Sequence, residues 1–166
     1  MPALPLQIVI PGKAYGKGRP HFVRKTGIAI TPNQTRKYED IIRTRAEDAM
    51  GGAPPFDQPL AIRVTVYLAI AMSWPKKKQA AAANRELLPT GRPDTDNFVK
   101  IALDGLNEIV FRDDSLVVQI AASKVYDHRP RLVIDVMPTT IRPLAPKSGP
   151  VDARVGVGSH TGAPAA

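Results

Sequence analysis

The sequence predicts a single globular domain that mixes strands and helices, and three observations carry that reading. Short apolar, β-branched runs alternate with two stretches of helical period, a pattern of strands and amphipathic helices together. The chain has 166 residues, 43% hydrophobic and 23% charged, ordinary for one globular unit. A chain of this size buries roughly two thirds of its unfolded surface, enough for a core without staples. It contains no cysteine, so disulfides, thiolate zinc sites and cysteine nucleophiles are excluded.

Taken in order, residues 6–10 (LQIVI) are a strand that stops at the Pro11-Gly12 turn. Residues 13–25 (KAYGKGRPHFVRK) read as a basic loop, with Lys13, Lys17, Arg19, Arg24 and Lys25 among glycines and the rings of Tyr15, His21 and Phe22. Glycines let backbone NH groups approach phosphate, and rings offer stacking surfaces to bases. Residues 28–31 return as a second short strand before Pro32. Over 35–50 a helix is expected, capped by Thr35 and ended by Gly51-Gly52, with Tyr38, Ile41, Ile42, Ala46 and Ala49 at helical spacing. Residues 60–71 (LAIRVTVYLAIA) are a central strand.

Residues 73–90 combine Trp74-Pro75, the lysines Lys76, Lys77 and Lys78, and an alanine run, and read as a lid-like loop with one or two helical turns. Trp74 is a core anchor or a base-stacking ring. A second helix over 97–110 aligns Val99, Leu103, Leu106 and Val110 on one face. Residues 116–126 and 131–137 are strands, most simply an antiparallel hairpin across 127–130. From Thr139 prolines, glycines and alanines without period predict disorder, which divides the chain into a domain at 1–138 and a tail at 139–166.

The formal net charge is +8, which favours polyanionic partners, nucleic acid first. Residues 1–45 hold nine Lys or Arg against two acidic residues, so the basic charge gathers at the N-terminus. No apolar run approaches the ~18 residues that span a bilayer. Residues 1–10 have two prolines and no basic residue, unlike a secretory signal. A cytoplasmic protein without a membrane partner is the expectation.

Against this basic background Asp94, Asp96, Asp104, Asp113 and Asp114 crowd into 21 residues, an arrangement that calls for a cation. Asp94 and Asp96 stand at i and i+2 after Pro93, and on extended backbone both carboxylates point one way. Lys100 follows Asp96 by one helical turn, and an antiparallel return of the chain would bring Asp113 or Asp114 back toward the pair. Three carboxylates with open positions suit Mg2+, and phosphodiester hydrolysis is the natural reaction. Lys100 would stabilise charge on the phosphorane or orient the water, while Asp104 forms an i,i+4 ion pair with Lys100. Read alone, a DxD at a helix start is also an N-cap with a dipole-complementing acid, and the lysine triplet a solvated loop.

The series Asp94-x-Asp96-Asn97-x-x-Lys100, Leu103-Asp104-Gly105-Leu106-Asn107 and Asp113-Asp114-Ser115-Leu116-Val117-Val118 resembles the core of the RusA family of Holliday junction resolvases. Pro11-Gly12-Lys13, Gly16-Lys17-Gly18-Arg19-Pro20, Thr31-Pro32 and Ser73-Trp74-Pro75-Lys76-Lys77-Lys78 resemble segments of its phage and prophage members. Coverage runs over about 5–138. The resemblance implies a small α+β fold with a mixed sheet and two main helices, paired as a homodimer. It further implies a Mg2+-dependent endodeoxyribonuclease, with Mn2+ as a substitute and no small-molecule cofactor, that resolves four-way DNA junctions by paired symmetric nicks. By motif position the catalytic set is Asp94, Asp96, Lys100 and Asp114, the three aspartates holding the metal. Asp113 matches a less critical neighbour. Charge and location, not motif, assign DNA contacts to Lys13, Lys17, Arg19, Lys76, Lys77 and Lys78. The cell is a bacterial or phage-infected one. Alternatives are a nuclease for flaps or forks, and an architectural module that binds branched DNA without cutting it.

Overall fold

The computed structural model describes residues 4–19 and 32–141, together with the backbone alone of 21–23 and 28–30. The element order is β1 (Leu6–Pro11), β2 (His21–Val23), β3 (Ile28–Ile30), α1 (Asn33–Met50), β4 (Leu60–Ala69), α2 (Lys76–Ala83), α3 (Thr95–Leu106), β5 (Val117–Asp127) and β6 (Arg131–Pro138). A single 3-10 turn, Asp114–Leu116, leads into β5. The class is α+β, with a four-stranded mixed sheet and three helices among the described residues.

The sheet runs β1-β6-β4-β5, with β6 antiparallel to both neighbours and β4 parallel to β5. Strand composition explains the order. Leu60, Ile62, Val64 and Val66 of β4 are all essentially inaccessible, so this strand needs a neighbour on each side. β5 tolerates an edge because Val118 and Ile120 are nearly half exposed. Register places Ile8, Ile134, Val64 and Ala122 in one row across the sheet. On the face carrying this row lie Tyr38, Ile42, Ala46 and Met50 of α1 and Phe98, Ile101, Ala102 and Leu106 of α3. The two helices touch through Gly105. A Cβ there would lie 2.5 Å from Ile42 Cγ2, so α3 backbone seats directly on the Ile42 side chain.

Several expectations change. β5 and β6 are not a hairpin pair, because β4 lies between them and Ile70 N–H donates to Asp127 O where the connection passes the end of β4. Helix α1 begins at Asn33 behind Pro32, and Thr35 lies inside the first turn, buried, where its Oγ1 accepts from Gly18 N–H at 3.1 Å. Helix α3 begins two residues early and ends at Leu106, leaving Val110 buried in the following turn. The basic loop contains β2, which pairs with β3 as a small second sheet. The residues between these strands, 24–27, and Thr31 lie outside the described residues, as does the expected tail from 142 onward. Among the described residues no helix is long and apolar enough to cross a membrane.

Candidate active site

The start of α3 carries the paired aspartates. Asp94 is the N-cap residue, on extended backbone at φ −70 and ψ 153, and its side chain caps no NH group. Asp96 is already helical, so the two carboxylates straddle the boundary between coil and helix instead of sharing an extended segment. An acid in the first turn complements the helix dipole, which favours this early start. Lys100 Nζ donates to Asp96 Oδ2 at 2.9 Å, both groups exposed. That hydrogen bond from the Lys100 ammonium holds the Asp96 carboxyl below its ordinary range.

The expected Lys100–Asp104 pair gives way to two others. Lys100 takes the acid on its N-terminal side, the better i,i+4 orientation, and Asp104 receives Lys17 from the N-terminal loop. Lys17 Nζ also lies 3.6 Å from Glu39 Oε1, a buried atom without a hydrogen bond. Burial works against the Lys17 ammonium, but the hydrogen bond and charge of Asp104, with the charge of Glu39, outweigh it and raise its pKa. Lys17 is thus held as a clasp between α1 and α3.

Three consecutive residues fasten this loop. Gly16 fits because a Cβ there would lie 2.8 Å from Pro93 Cβ, Lys17 N–H donates to Asn97 O at 2.9 Å, and Gly18 N–H donates to Thr35. Gly16, Lys17, Gly18 and Arg19 then form one wall of a cleft of about 340 Å³ whose other wall is Arg92, Pro93, Asp94 and Asn97. Two exposed arginines, Arg19 and Arg92, thereby line the same cleft as Asp94. Arg92 escaped the sequence reading, although its place two residues before Asp94 was a signal. So did Lys124, whose Nζ donates to Gly91 O at 2.8 Å and to Pro93 O at 3.0 Å.

The remaining basic candidates surround this end of the sheet. Lys13 lies 5.3 Å from the Tyr15 ring centre, and Lys76 and Lys77 are exposed on the first turn of α2. Lys78 Nζ sits 4.1 Å over the Trp74 ring, which meets Tyr126 edge-on at 5.2 Å. Trp74 is therefore an anchor joining α2 to β5. Gln79, buried, secures the same corner by donating to Met72 O and Trp74 O.

Asp113 and Asp114 lie elsewhere. Asp113 accepts from Ser115 N–H at 2.9 Å, which lowers its pKa, and Asp114 is exposed at the first position of the 3-10 turn. β5 then travels about 23 Å from Val117 before Lys124 meets the loop at the start of α3. The returning chain brings Lys124, not Asp114, back to the aspartate pair. Among the described residues no three His, Asp or Glu side chains gather as a metal group within one chain. The donors themselves suit a hard divalent ion, being exposed carboxylate oxygens at Asp94, Asp96 and Asp114.

Residues 11–137 match the family model of endodeoxyribonuclease RusA. A 78-residue stretch is 40% identical to the protein YqaN of Bacillus subtilis strain 168, itself described as uncharacterized. That stretch is 46% of this chain and spans 55% of the length of YqaN.

Proposed function

The chain belongs to the RusA endodeoxyribonuclease family, and on that premise we propose that it is a Mg2+-dependent enzyme that resolves four-way DNA junctions by paired symmetric nicks. Its setting is the cytoplasm, in recombination, repair or phage DNA processing. One observation carries the reading: an exposed carboxylate pair with its own lysine opens α3, and Asp94 of that pair lines a cleft together with Arg19 and Arg92. A binding module would gain nothing from Asp94, which caps no helix NH and repels phosphate.

Asp94, Asp96 and Asp114 would hold the ion, with Mn2+ able to replace Mg2+, and when bound it supplies phosphate charge neutralisation and an activated water. Arg19 and Arg92 grip the backbone phosphates on either side of Asp94. Lys100 keeps Asp96 ionised and offers positive charge to the phosphorane. The lysines of α2 and Lys13 steer the DNA arms.

Because Asp114 stands at the far end of α3, the third carboxylate comes from a second copy in a two-fold dimer. The edge of β5, unpaired among the described residues, is the docking surface for that copy, with Val118 47% and Ile120 46% exposed. Antiparallel pairing of two such edges about Ile120 sets Asp114 of one chain level with Tyr126 of the other, beside that chain's loop 91–93. An isologous pair also presents two identical sites to a nearly two-fold junction.

The test is cleavage of a labelled four-way junction against linear duplex, with Mg2+ or EDTA. Asp94→Asn and Asp114→Asn each abolish cleavage and keep junction binding. Mixing the two variants restores nicking, because one site of the mixed dimer keeps all three carboxylates. No rescue would place the site within one chain, and junction binding by the wild type without cutting would leave a binding protein. A preference for flaps or forks would redirect the substrate to other branched DNA.

A further inference from the structure

Between Leu88 and Pro93 the chain follows no helix or strand, and it leads directly into Asp94. Pro89 is buried and fixes the first half of this segment, while Thr90, Gly91, Arg92 and Pro93 are exposed. Among the described residues the hydrogen bonds that hold the 88–93 backbone are the two from Lys124 Nζ, to Gly91 O and Pro93 O. These carbonyls belong to the peptide planes that lead into Arg92 and into Asp94, so one ammonium fixes the plane preceding each of the two residues.

A lysine on an edge strand ordinarily points into solvent and guards the edge against pairing. Lys124 does something else. It projects on the helix-covered face, opposite Val66 in the register of β4 and β5, and turns toward the loop. Its three donors serve two carbonyls at bonding distance, a task open to arginine and closed to an apolar side chain.

We infer that Lys124 is a positioning residue that latches loop 91–93 to β5 and sets Arg92 and Asp94 for phosphodiester cleavage. The inference rests on the proposed nuclease function. Loss of the latch leaves the rigid parts of the site intact, because α3 packs through Phe98, Ile101, Ala102 and Leu106, which Lys124 does not support. What changes is the aim of the two groups nearest the substrate, where a displacement of about 1 Å lowers rates by up to about a hundredfold.

The experiment compares wild type, Lys124→Met and Lys124→Arg as full chains by amide nitrogen relaxation, by hydrogen exchange of the sheet amides and by junction cleavage across a Mg2+ titration. In Lys124→Met, the amide order parameters fall at Gly91, Arg92 and Asp94, while exchange in β4 and β6 stays at the wild-type level. Turnover falls about tenfold or more and the Mg2+ concentration for half-maximal rate rises. Lys124→Arg recovers most of both. Unchanged order parameters in the loop, or wild-type turnover in Lys124→Met, overturn the inference. Faster exchange throughout the sheet also overturns it, since the lysine would then be supporting the fold. If the wild type cuts no branched DNA, the nuclease reading fails and with it the catalytic purpose of the latch, whereas the loop order parameters report on the latch itself.

Discussion

Lys17 and Arg19 are two positions apart and carry the same charge, yet they have different work. Lys17 is enclosed by Asp104 and Glu39, whereas Arg19 is exposed on the cleft wall. Lys17→Met therefore lowers folding stability by about 1 kcal/mol, the scale of a partly screened ion pair with a hydrogen bond. Arg19→Ala leaves the melting temperature unchanged, weakens junction binding and makes the dependence on salt shallower. Thermal melts and binding at two salt concentrations separate the two. The sign of the pH dependence follows from the raised pKa of Lys17: its contribution is complete below the ordinary value of 10.5 and is lost as pH rises through the higher folded value. A melt series from pH 6 to 9 thus finds the clasp intact. The DxD pair and Lys100 were legible in the sequence because their spacing is local. The partners of Lys17 were not, since 87 positions separate it from Asp104 and only the packing of α1 and α3 joins them.

At the scale of elements, Gly105 shows how closely the helices approach. Gly105→Ala drives a methyl group into Ile42 and destabilises the fold by about 1–3 kcal/mol, measurable by urea unfolding. The long strands could be read ahead because β-branched runs of this length have one structural meaning, and LQIVI and all but the last two residues of LAIRVTVYLAIA lie in the sheet. Strand β3 was legible as the short run before Pro32, whereas β2, three residues inside the basic loop, is too short for a period to show. The hairpin expected of β5 and β6 failed for a different reason. A short connection marks two strands as neighbours in sequence, but β4 has the greater apolar surface to bury and takes the place between them.

For the whole molecule, charge and symmetry matter most. A net charge of +8 announces a polyanionic partner, yet composition carries no direction. Folding supplies it by tying residues 16–18 to the starts of α1 and α3, so that Arg19, Arg92 and Asp94 line one cleft. The proposed dimer makes a further claim. Ile120→Glu on the exposed edge of β5 yields a folded monomer in light scattering that binds a junction weakly and no longer cuts it. A dimer of wild-type activity would move the interface elsewhere. That Asp114 stands away from Asp94 was hidden in the sequence, where 20 positions separate them and the path of the chain decides.

The place of β4 has a consequence for how the protein is made. Its partners are β5 and β6, and β1 also pairs with β6, so every ladder of the main sheet waits for the last strands of the domain. Contacts between distant parts of a chain form slowly, because loop closure precedes any gain from pairing. During synthesis the first 116 residues emerge with β4 bare on both sides, an apolar strand without a ladder. Only when β5 and β6 leave the ribosome does the sheet close, which makes the timing of birth, and not the order of the helices, the vulnerable step in the life of this chain.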